Sequence, residues 1–384
     1  MLYKRIYDPA DQSFFLLGPR GVGKSTWARS RFPDAHRIDL LDETLYLSYL
    51  SDPELFAAEL RALKPESWVI VDEIQRIPTL LNQVHRFIEE KGFRFVLLGS
   101  SARKLKTSGT NLLAGRALMR RMFPLVPEEM GSDFSIEEVL ASGSIAIIHQ
   151  SASRKEALRA YVELYLKEEI RAEALVRNLS GFARFLPVAA LFHGQAINAG
   201  GIARDAGVAR TTIAGYLDIL EDTLLAFRLQ AFEAKLRVRE RRHPKLYWID
   251  PGVVRAIKKQ FGPVAAEEKG ALFEGWVAML LRIYSESREL SEELFYWAPA
   301  EARHSEVDFI LRRGREFLGI EAKSAPKVSR QDLRGLRALA GLKGVVRRIL
   351  LYMGKQELKT EDGIEVWPVE KLLECLAANR LWPE

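Results

Sequence analysis

The sequence contains very little cysteine and no long apolar segment. Cys375 is its one cysteine, so the chain cannot form an internal disulfide, and no Cys/His cluster offers zinc ligands. Apolar runs such as 68–71 and 96–98 have the length of strands and fall far short of a membrane span. The N-terminus also lacks the apolar segment of a secretory signal. We therefore expect a cytoplasmic protein without a membrane partner.

The positive charge of the chain is concentrated in one short stretch. The net charge is +6, and residues 228–245 carry seven Lys or Arg against two Glu, an excess of five. A concentrated basic surface favours an anionic partner such as nucleic acid. The alternative is an ordinary solvated face.

Residues 18–25, GPRGVGKS, fit the phosphate-loop pattern G-x-x-x-x-G-K-[ST] at every fixed position. An apolar strand precedes them and a helix follows, as that pattern requires. The glycines let backbone N–H groups surround phosphates, Lys24 reaches the β- and γ-phosphates, and the Ser25 hydroxyl ligates Mg²⁺. With ATP and Mg²⁺ as ligands, the predicted nucleotide-binding residues are Gly18, Pro19, Arg20, Gly21, Val22, Gly23, Lys24, Ser25 and Thr26.

A second segment, WVIVDE at 68–73, is an apolar strand that ends in two acids, as a Walker B strand does. Asp72 is suited to hold Mg²⁺ through water, and Glu73 to polarise the attacking water. A kinase that phosphorylates a metabolite needs no such water-activating acid, so the pair favours hydrolysis. The alternative is that Glu73 is a surface carboxylate.

Two further polar residues are candidates for the same site. The strand FRFVLLGSS brings Ser100 to the same sheet edge, where it orients water, senses the γ-phosphate or simply caps a turn. Downstream, Arg116 is suited to be an arginine finger, in cis or in trans, with a solvated surface arginine as the alternative.

The segments GPRGVGKST, VDEIQRIP, LLGSSARKL and LAGR together resemble a large prokaryotic family of AAA-type ATPases. In that family the ATPase is joined to a C-terminal domain of unknown function. The likeness covers nearly the whole chain, with the four motifs in the family's order. It implies an AAA+-like core that uses ATP and Mg²⁺.

Residues 202–232 have the pattern of a helix-turn-helix, with Gly207 at the turn. In winged versions the second helix enters the DNA major groove from its N-terminal end, and the basic stretch follows where a wing would lie. Winged-helix modules also serve as lids or protein contacts, which is the competing interpretation. The candidate contacts to double-stranded DNA are Arg210, Thr211, Thr212, Lys235, Arg237, Arg239, Arg241 and Arg242.

The segment EVDFILRRGREFLGIEAKS at 306–324 predicts two strands joined by a turn at 313–316. This register puts Asp308 opposite Glu321, and residues two apart such as Glu321 and Lys323 share one face of their strand. Glu274 lies near the start of a preceding amphipathic helix, off its apolar stripe. We expect the three carboxylates and the lysine to converge.

This order, a helical Glu, then Asp, then Glu-x-Lys, resembles the PD-(D/E)xK nuclease superfamily. The chain departs from the motif at Val307, where the family has proline. The resemblance implies that Asp308 and Glu321 hold Mg²⁺ while Lys323 orients or activates water, with Glu274 in support. The alternative is a degenerate domain whose charges form an ion-pair network.

These motifs predict an α/β chain with a P-loop AAA+-like parallel-sheet domain at 1–130 and a helical linker or lid at 131–195. A winged-helix-like module with a basic strand follows at 196–262, and an α/β nuclease-like domain at 263–384.

The leading hypothesis is an ATP hydrolase that interacts with DNA through these modules. The alternative is a nucleotide-driven switch or scaffold that binds a protein partner, or a second copy of itself, and cuts nothing. A small-molecule kinase is a weaker third interpretation.

Overall fold

The computed structural model describes residues 3–101, 113, 115–165, 178–232, 243–298 and 305–383. These residues form three β-sheets of five, three and six strands, in that order along the chain. No helix within these ranges is both long and apolar enough to cross a bilayer.

The first sheet is parallel throughout, in the order β2-β3-β4-β1-β5. Its strands are β1 (Phe14–Leu17), β2 (His36–Asp39), β3 (Trp68–Asp72), β4 (Arg94–Gly99) and β5 (Leu118–Arg121). Between them run α1 (Lys24–Arg31), α2 (Glu43–Ser51), α3 (Pro53–Arg61) and α4 (Leu81–Lys91), with 3₁₀ turns at Ile74–Arg76 and Pro78–Leu80. The α/β class and the parallel N-terminal sheet predicted from the sequence are confirmed.

This sheet is covered on both faces, as its continuous apolar strands require. Phe14 and Leu16 pack with Trp27 of α1, whereas Phe15 and Leu17 lie in a second cluster with side chains of α3 and α4. Successive side chains of a strand point to opposite faces, so a short apolar strand supplies both clusters. Polar side chains are then left for the carboxyl edge, where β1, β3 and β4 all end.

A helical region follows, with a small antiparallel sheet in the order β6-β8-β7. The side chains of Asn178 and Asn198 cap two of its helices, and Gly207, at φ 61°, ends the second of them in the left-handed conformation. The helices are α5 (Pro127–Met130), α6 (Ile136–Ser142), α7 (Ala146–His149), α8 (Arg154–Ala160), α9 (Leu179–Leu191), α10 (Ala199–Ala206) and α11 (Arg210–Asp222), with a 3₁₀ turn at Gly131–Asp133 and a π-helical turn at Tyr161–Tyr165. The strands are β6 (Gln195–Ala196), β7 (Ala226–Leu229) and β8 (Lys245–Trp248).

The C-terminal region is a six-stranded mixed sheet in the order β13-β14-β12-β11-β10-β9. Its strands are β9 (Glu293–Trp297), β10 (Val307–Arg313), β11 (Glu316–Lys323), β12 (Val345–Tyr352), β13 (Leu358–Lys359) and β14 (Glu365–Pro368). The helices from here to the end are α12 (Pro251–Ile257), α13 (Ala266–Arg288), α14 (Arg334–Leu339) and α15 (Val369–Ala377), with a 3₁₀ turn at Arg330–Leu333. The hairpin register predicted for β10 and β11 is confirmed, since Arg313 pairs with Glu316 and Phe309 with Ile320.

The middle and C-terminal regions share one hydrophobic core. One cluster of buried side chains extends from Phe123 to Trp382 and includes residues of both β8 and α13. A second, smaller cluster lies between the C-terminal sheet and α14. Asp250 is fully buried and links α12 to the turn that follows α6. Its side chain caps α12 by accepting from the Val253 N–H (3.0 Å), and it also accepts from the Ser144 N–H (2.7 Å). The segment YWIDPG, residues 247–252, therefore has a structural role in this core.

His193 lies where the middle region meets α13. Its Nδ1 accepts a hydrogen bond from the Trp248 N–H at 3.1 Å. A Cβ at Gly275 would lie 2.0 Å from His193 Nε2, so the glycine provides the space for the imidazole. Burial, and to a smaller extent the charge of Lys258, lower the pKa of His193 to about 3. The ring is therefore neutral in the folded protein.

This burial predicts acid sensitivity. Below the unfolded pKa of about 6.5, the unfolded chain binds a proton at His193 that the folded chain refuses until about pH 3. Stability should therefore fall by about 1.4 kcal/mol per pH unit from this group as the pH drops through that window. His193→Gln should remove this component, which is measured as the difference in melting temperature between pH 7 and pH 5. Equal losses in the wild type and the variant would contradict the prediction.

Candidate nucleotide site and acid–lysine cluster

The phosphate loop joins the end of β1 to the start of α1. Gly21 and Gly23 have φ of 79° and 98°, in the left-handed region that glycine adopts without strain. A Cβ at Gly21 would also lie 2.4 Å from Ile147 Cγ2. No side chain caps the first turn of α1, so its N-terminus offers backbone N–H groups and a positive dipole end to an anion.

Lys24, Ser25 and Asp72 lie together at this loop. Lys24 is buried, and its Nζ donates to the carbonyls of Gly18 (2.6 Å) and Pro19 (3.2 Å). Burial raises the pKa of Asp72, while a hydrogen bond with the Ser25 side chain opposes that shift. A hydroxyl beside a carboxylate is the hard oxygen pair that Mg²⁺ prefers, so the residues present fit the ion.

Glu73 directly follows β3 with φ 57° and ψ 41°, a left-handed backbone that is strained for a residue other than glycine. Gln75 Nε2 donates both to the Glu73 carboxylate and to Ser100 Oγ, the latter at 3.0 Å. Ser100 and Gln75 are both buried. The Gln75 amide therefore fixes Glu73 relative to the end of β4, a link that the sequence did not reveal.

A cleft of about 1000 Å³ opens beside the loop. Residues 20–27, Asp72 and Glu73 line one side, and the N-terminal segment from Tyr3 to Asp8 contributes another. Ile147 and Gln150, from the middle region, complete the lining. The cleft thus lies between the parallel sheet and the middle region, with the phosphate loop on its wall.

The loop carbonyls are held from outside the parallel sheet. The Ile147 N–H donates to the Gly21 carbonyl at 3.0 Å, and the Tyr161 hydroxyl donates to the Arg20 carbonyl at 3.2 Å. Arg5 Nη1 donates to the Val22 carbonyl at 2.6 Å. The conformation of the loop is therefore coupled to two other segments of the chain.

The buried Arg5 also reaches the first residues beyond β5. Its Nη2 donates to the Phe123 carbonyl at 2.6 Å, and its Nε pairs with Glu129 at 2.9 Å. The Glu129 carboxylate accepts further hydrogen bonds from the Ile6 and Val126 N–H groups, at 2.8 and 3.1 Å. Both charges are thus well supplied with partners, as a buried ion pair requires.

Arg116 lies at the opposite edge of the parallel sheet from the phosphate loop. It precedes β5, whose Leu118 pairs with Phe14 at the amino end of β1, and it forms an ion pair with Glu89. The four residues of β1, at about 3.3 Å each, separate the two edges by roughly 13 Å. This placement does not fit an action of Arg116 in cis, which the sequence had left open.

The basic stretch carries less available charge than its sequence suggests. Arg228 pairs with Asp218 at 2.8 Å and with Glu221, and Lys245 is buried among acids. At the start of α11, Arg210 and Thr211 are exposed and Thr212 is half-buried. The other predicted DNA contacts, Lys235, Arg237, Arg239, Arg241 and Arg242, lie outside the described residues.

In the C-terminal region, the four residues of the predicted constellation line one cleft of about 560 Å³. Asp308 Oδ2 accepts from the Ala322 N–H at 2.9 Å, and Glu321 Oε2 accepts from the Asp308 N–H at 3.3 Å. Lys323 Nζ donates to Glu321 Oε1 at 2.6 Å. Glu274, from α13, faces them across the cleft.

Lys245, from β8, inserts its ammonium group among these acids. Its Nζ lies 3.1 Å from Glu274 Oε1, 2.5 Å from Glu306 Oε1 and 3.7 Å from Asp308 Oδ1. The Tyr247 hydroxyl, two residues along the same strand, donates to Glu274 Oε1 at 2.5 Å. We call Lys245, Glu274, Glu306, Asp308, Glu321 and Lys323 the acid–lysine cluster.

The electrostatics of the cluster follow from burial and crowding. Burial, and then the neighbouring Asp308 carboxylate, raise the pKa of both Glu274 and Glu321. Burial alone would lower the pKa of Lys245, but the carboxylates of Glu274, Asp308 and Glu306 together raise it. Lys245 is thus held protonated.

The cluster does not fit a divalent metal in this arrangement. Among the residues that the structure describes, no group of three or more His, Cys, Asp or Glu side chains is arranged to hold a metal ion. Backbone N–H groups already donate to Asp308 and Glu321. The ammonium groups of Lys245 and Lys323 are in contact with Glu274, Glu306, Asp308 and Glu321. The expected convergence of Glu274, Asp308, Glu321 and Lys323 is observed, but around a lysine.

Sequence reasoning missed Gln75, Glu306 and the role of Lys245. One signal was present for Lys245, because it opens the otherwise apolar strand KLYW and residues 245 and 247 share a face. A lysine that starts a buried strand needs a carboxylate partner.

Three family models match successive parts of the chain. Residues 10–131 match an AAA domain, residues 135–263 a domain of unknown function (DUF8612), and residues 269–372 another domain of unknown function (DUF4143). The N-terminal sheet with its phosphate loop is thus an AAA domain, joined to a C-terminal domain whose function is open, as the resemblance implied.

The chain is also similar to uncharacterized proteins of Mycobacterium bovis and Mycobacterium tuberculosis, each 25% identical over 374 residues, or 95% of this chain and 82% of the relative. Among solved structures, the Orc1 protein of Aeropyrum pernix in complex with DNA aligns with 65% of this chain and 87% of its own, at 12% identity and a TM-score of 0.32. Protein VC1899 of Vibrio cholerae aligns with 95% of this chain and 96% of its own, at 13% identity and a TM-score of 0.23. Overlaps this loose do not establish a shared overall fold.

Proposed function

We propose that this chain, in which residues 10–131 form an AAA domain, hydrolyses ATP with Mg²⁺. The observation that carries the proposal is the meeting of Lys24, Ser25, Asp72 and Glu73 on the wall of one cleft. A phosphate loop by itself accounts for the binding of a nucleotide but not for the activation of water. The acid pair makes hydrolysis the better interpretation.

Each side chain has a distinct task in this proposal. Lys24 neutralises the β- and γ-phosphates, and Ser25 and Asp72 would hold Mg²⁺, which when bound stabilises the charge that develops on the transferring phosphoryl group. Glu73 orients and polarises the attacking water. Gln75 keeps Glu73 in place and links it to Ser100 at the end of β4.

The kinase alternative is less favoured by the same contacts. A small-molecule kinase must exclude water, whereas Glu73 is only half-buried and lines the open cleft. The contacts of Ile147, Tyr161 and Arg5 with the loop carbonyls instead support a nucleotide cycle that acts on the middle region.

Glu73→Gln should lower kcat for ATP by at least about 100-fold while leaving ATP binding intact, because only the polarisation of water is lost. Lys24→Ala should abolish binding as well as turnover. Phosphate release and nucleotide binding are measured on the full chain with Mg²⁺. If Glu73→Gln hydrolysed ATP at the wild-type rate, Glu73 would be only a surface carboxylate, as in the alternative interpretation.

Two further variants make this test specific. Gln75→Ala should lower kcat about 10-fold with little change in KM, as expected of a positioning residue. Gln260→Ala, at an exposed glutamine, is the matched control and should behave as the wild type.

The second part of the proposal is contact with double-stranded DNA through a winged-helix-like module of α10, α11 and the small sheet. Arg210 and Thr211 are exposed in the first turn of α11, where no side chain caps the helix. Backbone N–H groups and a cationic side chain at a helix N-terminus suit a phosphate or the edge of a base. The alternative, contact with a protein partner, uses the same surface.

Arg210→Ala should weaken binding to a duplex several-fold and lower the salt slope by about one, because one phosphate contact is lost. Fluorescence anisotropy between about 50 and 200 mM salt measures both quantities. Arg204→Ala, on the exposed side of α10, is the matched control. If wild-type affinity is unmeasurable at the lowest salt, the module does not bind DNA.

A second candidate function is favoured by Lys245. In this function the nuclease-like domain is catalytically inactive, which we call silent. The chain is then a nucleotide-driven switch that cuts no DNA. An ammonium group in contact with Glu274, Glu306 and Asp308 supports this alternative, because it competes with Mg²⁺ for the same oxygens.

The wild-type chain should accordingly leave supercoiled plasmid uncut in Mg²⁺, with or without ATP, because Lys245 occupies the oxygens that an active site would offer to the ion. Gel electrophoresis over several hours measures this outcome. Cleavage that Asp308→Ala and Lys323→Ala both abolish would establish the nuclease and reject the silent domain.

A further inference from the structure

Three carboxylates from two segments of the chain surround one nitrogen atom in the acid–lysine cluster. Glu274 comes from α13, Glu306 from the residues just before β10, and Asp308 from β10 itself. Their oxygens lie 2.5 to 3.7 Å from Lys245 Nζ. This is the coordination expected of a cation bound by the protein, with an ammonium group as the cation.

The space between these carboxylates is occupied by the ammonium group at ion-pair distances. Oxygen ligands lie at 2.0–2.1 Å from Mg²⁺ and at 2.3–2.6 Å from Ca²⁺. The nearest carboxylate oxygen is 2.5 Å from Nζ and the two others are farther away. A metal ion could not enter at this distance without expelling the like-charged ammonium group.

Lys245 is held in place by its strand. It is the first residue of β8, the central strand between β6 and β7, and the three residues after it are almost completely buried. The side chain is 8% exposed, and Nζ lies 5.5 Å from the centre of the Tyr296 ring. The ammonium group is therefore a fixed part of the core rather than the tip of a mobile surface chain.

The second lysine of the cluster is placed differently. Lys323 is 34% exposed and pairs with Glu321 alone among the four carboxylates. It lies on the same strand as its partner, two residues away. The two lysines thus provide a natural comparison between a central buried cation and a peripheral one.

We propose that Lys245 is the resident cation of the acid–lysine cluster, and that its ammonium group keeps divalent metal ions out of the position between Glu274, Glu306 and Asp308. Removal of that group exposes a latent divalent-cation site. The inference rests on the second candidate function, the silent nuclease-like domain, and is independent of ATP hydrolysis.

The test is Mn²⁺ binding to the nucleotide-free full chain, measured by the electron paramagnetic resonance signal of free Mn²⁺ at neutral pH. At the acid–lysine cluster, Lys245→Met should bind one Mn²⁺ at least about tenfold more tightly than the wild type does. Lys245→Met combined with Asp308→Asn should lose that gain, which assigns the ion to this cluster. Lys323→Met is the matched control. Its gain in Mn²⁺ affinity should be much smaller, because this variant keeps the Lys245 ammonium group in contact with Glu274, Glu306 and Asp308.

Three results would overturn the proposal. One is a wild-type chain that binds Mn²⁺ at this cluster as tightly as Lys245→Met does, with Asp308→Asn abolishing the binding. Another is an equal gain in Lys323→Met, which would mean that net charge rather than position matters. The third is no gain in Lys245→Met.

Lys245→Gln guards against misfolding, since it retains a polar head group and makes the same prediction if Lys245→Met does not fold. ATP turnover is followed in parallel on every variant. If no chain hydrolysed ATP, the wild type included, the proposal of ATP hydrolysis would be rejected. The Mn²⁺ measurements would still test the role of Lys245 independently.

Discussion

The buried Arg5 guanidinium is the contact on which the arrangement of the chain depends most. It donates to the Val22 and Phe123 carbonyls and pairs with Glu129, so one side chain joins the N-terminal segment, the phosphate loop and the entry to the middle region. Both members of the pair are almost completely buried, and removing one leaves an uncompensated charge that costs about 3–5 kcal/mol. The phosphate loop is consequently shaped as much by these contacts as by its own glycines.

The two halves of the molecule are built differently. The parallel sheet has its own pair of hydrophobic clusters. The middle and C-terminal regions share a large core, and a separate cluster packs the C-terminal sheet against the helix Arg334–Leu339. Hydrogen bonds from Tyr161 and Ile147 to the carbonyls of Arg20 and Gly21 cross between these halves. A change in the conformation of the phosphate loop would therefore act on the middle and C-terminal regions together, because they share a core.

The sequence predicted correctly those features that depend on residues close together in the chain. The phosphate loop, the strand that ends at Asp72 and the β10–β11 register follow from residues adjacent in the chain, and the structure agrees with the sequence on each. Contacts between distant residues were out of reach. Lys245 was counted with a basic surface because nothing nearby revealed the acids of α13 and β10, and nothing near Gln75 pointed to its contact with Ser100. Arg116 seemed suited to the site until the strand order put it at the far edge of the sheet.

The glycine at position 275 has a consequence for how such a chain can change over generations. The imidazole of His193 occupies the volume that any larger residue at 275 would need, and the two positions lie in regions that match different family models. Recombination that replaced the C-terminal region alone would bring in a residue at 275 that had never been matched to this imidazole. Positions 193 and 275 therefore have to be compatible across the boundary between the two matched families.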